Sequence, residues 1–355
     1  MKLKEINLYR YSIPLKKTIN IKGYLQRERN GTIIEIVDEK NNKGYGEASP
    51  FPGLHSESVE KIIQQFKNLK SVLFNIDPGH FTIFSLDLPP CSNCLQFGIE
   101  WAIINLKARQ RNENPAYVLN SNYLKTIRIN PLLTGNYEEI LAYALTLKME
   151  NPRAVKLKVG FRPLEDDIYL TKKLDEIFEN KIPLRLDANR NWSLNQAVTF
   201  GHGVYGSNIE YIEEPLQNPL QLTEFYEKTG MEYALDETLS ANTADHFESF
   251  KGISAFIIKP SVIGSLRKIK NLLDIADINK YTCIFSSTFE SGVGLWAAAA
   301  MACAFSAPNS VHGLDTYKWL KNDIIEPPFS PEKFMVNPDH GYPFSIKPGL
   351  LTRVT

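Results

Sequence analysis

Residues 153–160 read RAVKLKVG. Val155, Leu157 and Val159 alternate with Lys156 and Lys158, the period of a β-strand, so both lysines leave one face and the aliphatic side chains leave the other. Two ammonium groups aimed at one face call for carboxylates or an anionic ligand there. The sequence downstream supplies them. Short strand-like runs follow at IPLRLDAN, IEYIEEP, EYALDET, SAFIIKPS and YTCIFSST, separated by stretches of helical period. Of those stretches, PLEDDIYLTKKLDEIFEN opens on Pro163, SLNQAVTFG carries a Ser-x-x-Gln cap at Ser193, and PLQLTEFYEKTG ends on Gly230. Sustained strand–helix alternation predicts parallel strands joined by crossover helices.

A polar residue stands near the end of each run. Lys158, Asp187, Glu213, Asp236, Lys259 and Ser286 are separated by 29, 26, 23, 23 and 27 residues, and each gap suits one strand-plus-helix unit. A doubly wound sheet gathers its ligand at one switch point, whereas a (β/α) barrel draws one residue from each consecutive strand end. The pattern therefore predicts an α/β fold built on a TIM-type (β/α) barrel.

On a closing barrel, Lys156 and Lys158 come from one strand and Asp187, Glu213 and Asp236 from the next three. Three converging carboxylates repel one another, and a divalent cation relieves the repulsion. An all-oxygen set with no Cys or His at the same strand ends suits Mg²⁺ or Mn²⁺ better than zinc. Lys259, on the strand after Asp236, reaches the other side of the same space. A metal can stabilise the enolate left when an α-carbon loses its proton, and a lysine near a cation and a second ammonium is poised to act as the base. In YIEEP, alternation turns Ile212 outward and Glu213 inward with Tyr211, which makes Glu213 rather than Glu214 the ligand. The same alternation points Glu237 away from Asp236, as a supporting contact or a helix cap.

The first ~115 residues mix strand and helix signals. GTIIEIVDEKNNKGYGEASP reads as a hairpin turning at EKNNKG, SESVEKIIQQFKNL as a helix capped at Ser56, and CLQFGIEWAIINLKARQR as a second helix. The predicted organisation is an α+β capping domain over 1–115, a barrel over 116–321, and a Pro- and Gly-rich segment, 322–355, that runs back to the capping domain.

The chain has 355 residues, with 40 basic against 40 acidic side chains, so no overall field recruits nucleic acid or an anionic membrane. The N-terminal MKLKEINLYRYSIPLKK scatters charge and predicts no signal peptide, and GVGLWAAAAMACAF is too short to span a bilayer and reads as a buried helix. Four cysteines make no disulfide framework, and Cys91 and Cys94, a lone C-x-x-C, read as free thiols. A cytoplasmic protein with a small-molecule substrate is expected; a homo-oligomer is compatible with the sequence but not indicated by it. Ser286 and Ser287 lack a G-x-S-x-G context, and the six histidines, His55 and His312 among them, show no metal-ligand spacing.

KLK at 156–158, LDAN at 186–189, IEEP at 212–215, LDE at 235–237 and IKP at 258–260, in this order and spacing, resemble the muconate-lactonizing-enzyme subgroup of the enolase superfamily. GYGEASPFPGLHSES, LRLDANRNW with Arg185, and FSSTFESGVG followed by HGLDT narrow the likeness to the o-succinylbenzoate synthases. The likeness covers nearly the whole chain, the first domain resembling the family's cap. It implies a Mg²⁺-dependent dehydration of 2-succinyl-6-hydroxy-2,4-cyclohexadiene-1-carboxylate to o-succinylbenzoate in menaquinone biosynthesis. Asp187, Glu213 and Asp236 would then be metal ligands. Lys158 would take the α-proton and protonate the departing hydroxyl on the same face, and Lys259 would stabilise the enediolate from the other. Lys156 would assist the carboxylate, Arg185 and Asn189 would line the pocket, and Ser286 and Ser287 would hold the succinyl tail. Loops at 18–31 and 49–55 would close over the substrate.

Two other readings stay open. A dipeptide epimerase or N-succinylamino acid racemase on the same scaffold would use Lys158 and Lys259 as bases on opposite faces, so those lysines do not separate it from a synthase. An epimerase should show a D-x-D amine-binding motif on the last barrel strand, where this chain reads VHGLDTYKW with Asp315 as its one acid. A non-catalytic ligand-binding descendant should have lost a ligand or a lysine, and none is missing.

Overall fold

Lys156 and Lys158 point into the inside of a barrel. The structure, a computed structural model, describes residues 3–76, 84, 86–240, 247 and 250–355. The chain opens with β1 (Leu3–Ile21), β2 (Tyr24–Asp38) and β3 (Lys43–Ala48), an antiparallel meander. β1 and β2 turn at Lys22 and Gly23, both at positive φ (50° and 86°), the two-residue turn whose twist matches the flanking strands. The segment at 18–31 is therefore the tip of a long hairpin and not a loop.

Helix α1 (Val59–Leu73) is capped by Ser58, whose hydroxyl accepts from Lys61 N at 3.2 Å, and not by Ser56. The Ser56 hydroxyl instead donates to Glu57 Oε2 at 3.1 Å. Helix α2 (Asn93–Arg111) lies against β3, where a Cβ on Gly46 would come within 1.9 Å of Gly98 O. Only glycine permits that approach. A short α3 (Pro115–Leu119) leads out of the cap.

The barrel follows. Its first stave is β4 (Ile127–Ile129) and β5 (Leu132–Leu133), interrupted at Asn130 and Pro131. Next come α4 (Tyr137–Glu150), β6 (Val155–Lys158), α5 (Leu164–Phe178), β7 (Leu184–Asp187), α6 (Leu194–Gly203), β8 (Ile209–Glu213), α7 (Leu222–Thr229) and β9 (Tyr233–Leu235). After α8 (Glu237–Ser240) come β10 (Ile253–Ile258), α9 (Pro260–Ile263), α10 (Leu266–Asn279), β11 (Thr282–Phe285), α11 (Gly292–Phe305) and β12 (Val311–His312). Strands β5 to β11 pair in sequence order, a parallel bridge from Ser286 to Gly313 continues the sheet to β12, and β12 pairs in parallel with β4. Among the described residues the ring closes with eight staves, counting β4 and β5 as one. β6 is the second and β10 the sixth, so they face each other across the barrel.

Alternation sorts the side chains. Leu157, Leu186, Ile212 and Phe285 join the core under the helices, while Tyr211, Ala234, Ala255, Ile257 and Ile284 form a separate cluster inside the ring. Helix α11 is buried over residues 292–304, and β3 anchors its N-terminus. The Glu47 carboxylate there accepts from Ser291 N at 3.0 Å and Gly294 N at 2.9 Å, which ties cap to barrel.

The C-terminal strands are β13 (Ile325–Glu326), β14 (Met335–Val336), β15 (Ser345–Ile346) and β16 (Leu351–Arg353). β16 joins the cap sheet beside β1, but β14 pairs with β4 of the barrel and β13 with β15. The tail expected to run back to the cap thus also seals the barrel. Among the described residues, no helix is long and apolar enough to cross a membrane, and all four cysteines are free.

Candidate active site

Lys158, Asp187 and Glu213 are the last residues of β6, β7 and β8, and they are register partners in one row across the three staves. Asp236, Lys259 and Ser286 immediately follow β9, β10 and β11. All six therefore sit at the same mouth of the barrel, the end where strand-borne side chains can meet a substrate.

Their contacts alternate charge. The Lys156 ammonium lies 2.7 Å from Asp187 Oδ2 and 2.6 Å from Glu213 Oε2. Lys158 donates to Asp187 Oδ2 and to Asn189 Oδ1, both at 2.6 Å. Lys259 pairs with Asp236. Of the three lysine side chains, Lys158 is 30% exposed and the other two 12%, so Lys158 is the most open of the three.

The electrostatics follow from burial. Burial works against the charged forms of Lys156 and Lys259, but the carboxylates beside them win and hold both ammonium groups above the usual lysine range. Burial also opposes the Asp187 carboxylate, yet the ammonium groups of Lys156, Lys158 and Lys259 hold it well below its usual range. Glu213 goes the other way. Burial and the neighbouring Asp187 push it up to about 8, with Asp236 adding to the rise and Lys156 only partly countering it. Burial likewise raises Asp236 despite Lys259. Glu213 Oε1 is buried with no hydrogen-bond partner. The cluster is short of positive charge at Glu213.

A divalent cation fits that deficit: the donors are all oxygen, they sit on consecutive staves, and one buried carboxylate oxygen has no partner. In this structure the lysine ammonium groups lie against the carboxylates, and among the described residues no three His, Cys, Asp or Glu side chains are gathered closely enough to hold a metal ion. Glu214 faces the other way, at φ 42°, accepting from Asp236 N, Thr238 N and Arg190 Nε at 2.7–2.9 Å. Glu237 does not turn away as strict alternation requires. β9 ends at Leu235, and the helical turn that follows brings Glu237 within 3.6 Å of Lys22 and 3.5 Å of Asn189.

Above the row is a cavity of about 580 Å³. It is lined by Lys156, Lys158, Asp187, Asn189, Lys259, Ser286 and Ser287, with Thr18, Lys22 and Leu54 supplied by the cap. From the two cap segments expected to cover the substrate, only residues 18–22 and Leu54 line it.

Arg185 does not line it. Two residues below Asp187 on the inner face, Arg185 is buried, donating to both Glu210 oxygens at 2.8 Å, to Val311 O at 2.5 Å and to Asn130 Oδ1 at 3.3 Å. It lies one layer beneath the floor and supports Asn130, which is a lining residue. The Ser286 and Ser287 hydroxyls are directed to Gly313 O at 3.3 and 3.2 Å, and Ser287 also meets Thr316 at 2.7 Å.

Phe161, Arg162, Asn191, Phe289, Trp319 and Lys17 also line the cavity, and strand periodicity does not mark them. Their one sequence signal is position, on loops after strand ends or on the cap hairpin. Phe289, at φ 64°, stacks between Phe51 and Trp319 with centroids at 4.9 and 5.3 Å. The buried Arg29 guanidinium donates to its carbonyl at 2.6 Å.

The model of the family described as "Enolase C-terminal domain-like" matches residues 139–350, and that described as "MenC, N-terminal domain" matches residues 3–106. The o-succinylbenzoate synthase of Aliivibrio salmonicida is 28% identical, with 92% of this chain and 94% of the relative covered. The o-succinylbenzoate synthase of Pasteurella multocida is 27% identical over 97% of this chain and 98% of the relative. Among solved structures, the L-Ala-D/L-Glu epimerase of Bacillus subtilis superposes with a TM-score of 0.84 at 21% identity, covering 98% of this chain and 96% of that one.

Proposed function

The chain belongs to the enolase C-terminal domain-like family, and on that premise we propose that it acts as an o-succinylbenzoate synthase, a lyase of menaquinone biosynthesis. The reaction is the loss of water from 2-succinyl-6-hydroxy-2,4-cyclohexadiene-1-carboxylate. The observation that carries the chemistry is the facing pair: Lys158 on the second stave and Lys259 after the sixth, with Asp187, Glu213 and Asp236 between them on the intervening staves. The choice of substrate follows the two synthases, which align over nearly their whole lengths.

Asp187, Glu213 and Asp236 would hold Mg²⁺, with Mn²⁺ as an acceptable substitute. When bound, the ion supplies Lewis-acid stabilisation of the negative charge that builds on the substrate carboxylate. Lys158 Nζ takes the proton from the ring carbon that bears the carboxylate, and Asn189 Oδ1 fixes the direction of that amine. The same ammonium then returns the proton to the hydroxyl as its C–O bond breaks, so one proton and one hydroxide leave as water and the ring becomes aromatic. Lys259, held charged by Asp236, faces the developing charge from the opposite side. Lys156, which shares Asp187 Oδ2 with Lys158, assists in holding the substrate carboxylate. The cap hairpin and Leu54 cover the mouth and exclude water. We place the enzyme in the cytoplasm, where its four free thiols stay reduced.

The test uses purified protein, Mg²⁺ and a substrate panel. The synthase reading expects rapid loss of the cyclohexadiene absorbance, and little α-proton exchange in D₂O with dipeptides. Exchange confined to dipeptides or N-succinylamino acids, with the cyclohexadiene untouched, transfers the site to the isomerase reading.

A further inference from the structure

Among the described residues that line the cavity, the carboxylates are Asp187 and Asp315. Asp187 is engaged by two lysines at the catalytic row. Asp315 stands apart, in the 3₁₀ turn Asp315–Trp319 that follows the last stave, on the wall that also carries Ser286, Ser287 and Thr316. A cavity-lining carboxylate with 15% of its side chain exposed is the natural receiver for a substrate ammonium, but this one already has a cation. Lys318, three residues on, pairs with Asp315 Oδ2 and donates to Leu132 O at 2.9 Å. Its ammonium also stands 5.2 Å from the centroid of the Tyr143 ring and 5.1 Å from that of Trp319, a cage that favours a cation there. Asp315 Oδ2 accepts a further bond from Leu132 N at 2.9 Å, so the acid is fixed in place.

We propose that Lys318 sets the tail specificity of this pocket: by pairing with Asp315 it withholds the wall carboxylate from any substrate ammonium and directs the site to ligands with an anionic tail. The inference rests on the synthase reading and deepens it. Lys318 touches no substrate; it acts through Asp315, as a positioning residue that excludes the wrong partner. One further cavity cation stands on this wall. Lys17, on the cap hairpin, lies 5.8 Å from the Trp319 centroid on the same side of the cavity.

The experiment compares N-succinylanthranilate with N-(β-alanyl)anthranilate, which share a ring carboxylate and linker and differ in ending on a carboxylate or an ammonium. Their dissociation constants are measured by calorimetry, with Mg²⁺ present, for the wild type and for Lys318→Met, Lys318→Arg and the double variant Asp315→Asn/Lys318→Met. The wild type should favour the succinyl compound at least tenfold. Lys318→Met should shrink that ratio at least tenfold, Lys318→Arg should keep it, and the double variant should move it back towards the wild-type value. A ratio within twofold of wild type in folded Lys318→Met, or equal weakening of both compounds, overturns the assignment, as does failure of both to bind any of the proteins. Binding of o-succinylbenzoate itself is measured alongside. If it does not bind while the anthranilates do, the synthase reading falls and the Lys318 ratio still decides the inference.

Discussion

The Lys156 ammonium lies 2.6 Å from Glu213 Oε2, while the second oxygen of the same carboxylate is buried without a partner. One ammonium serves both Glu213 and Asp187, and an unmatched buried acceptor is unfavourable by about 1–3 kcal/mol. Loading the site with Mg²⁺ should therefore stabilise the fold. At a metal concentration 100 times the dissociation constant, the gain is about 2.7 kcal/mol. Thermal melts with and without EDTA should show it, and Glu213→Gln should remove most of the difference. An equal metal-dependent rise in Glu213→Gln contradicts the assignment of this carboxylate.

Arg185 separates two roles that look alike in sequence. Because it is buried beneath the floor, Arg185→Met leaves Val311 O, Asn130 Oδ1 and the partly covered Glu210 without their donor. The expected result is a loss of about 2–4 kcal/mol in denaturant unfolding, with KM changed less than stability. A large KM rise at unchanged stability would return Arg185 to the pocket lining.

Lys17 lines the cavity from the cap and is exposed. Lys17→Ala should raise KM for a dianionic substrate about three- to tenfold with kcat little changed, and the effect should fade as salt approaches 1 M, where the screening length is about 3 Å. A salt-independent loss in kcat assigns Lys17 some other role.

Glu100 on α2 offers a pH signature away from the row of strand-end residues. Burial pushes this carboxyl up to about 7, although it accepts from Leu266 N at 2.6 Å and from Gln96. Its folded pKa is above its unfolded value, so the folded state binds the extra proton. Stability from this group is present in full below the unfolded carboxyl range and is lost as pH rises to about 7. Glu100→Gln should flatten the fall in stability between pH 5 and 7 and gain about 1–3 kcal/mol at pH 8. A wild-type stability that rises steadily over this range, unaltered by Glu100→Gln, goes against it.

How far the sequence could be read follows from what alternation encodes. It tells which face a strand residue takes, which is why the sequence alone places Lys156, Lys158, Asp187 and Glu213 inside the barrel. It does not tell depth: Arg185 and Asp187 share a face, yet one is a layer below the floor. It stops where a strand stops, so Glu237, already in a helical turn, defies it. Cap chemistry is equally local. Ser56 and Ser58 both precede the helix, and only the backbone decides which hydroxyl meets a free N–H of its first turn. Phe289 and Trp319 lie in a left-handed bend and a 3₁₀ turn, where no period exists to read. The pairing of Lys318 with Asp315 could be suspected from the i, i+3 spacing, but its place on the cavity wall required the closed ring.

The central claim is that Lys158 moves the proton while Lys259, across the barrel, only stabilises charge. Single-turnover loss of the cyclohexadiene absorbance in Mg²⁺-saturated Lys158→Ala, with metal binding confirmed separately by calorimetry, tests it most directly. The account predicts intact metal affinity and a rate lowered by at least about 10³-fold, in line with removal of a general acid–base group. Turnover within tenfold of wild type in that variant would contradict it.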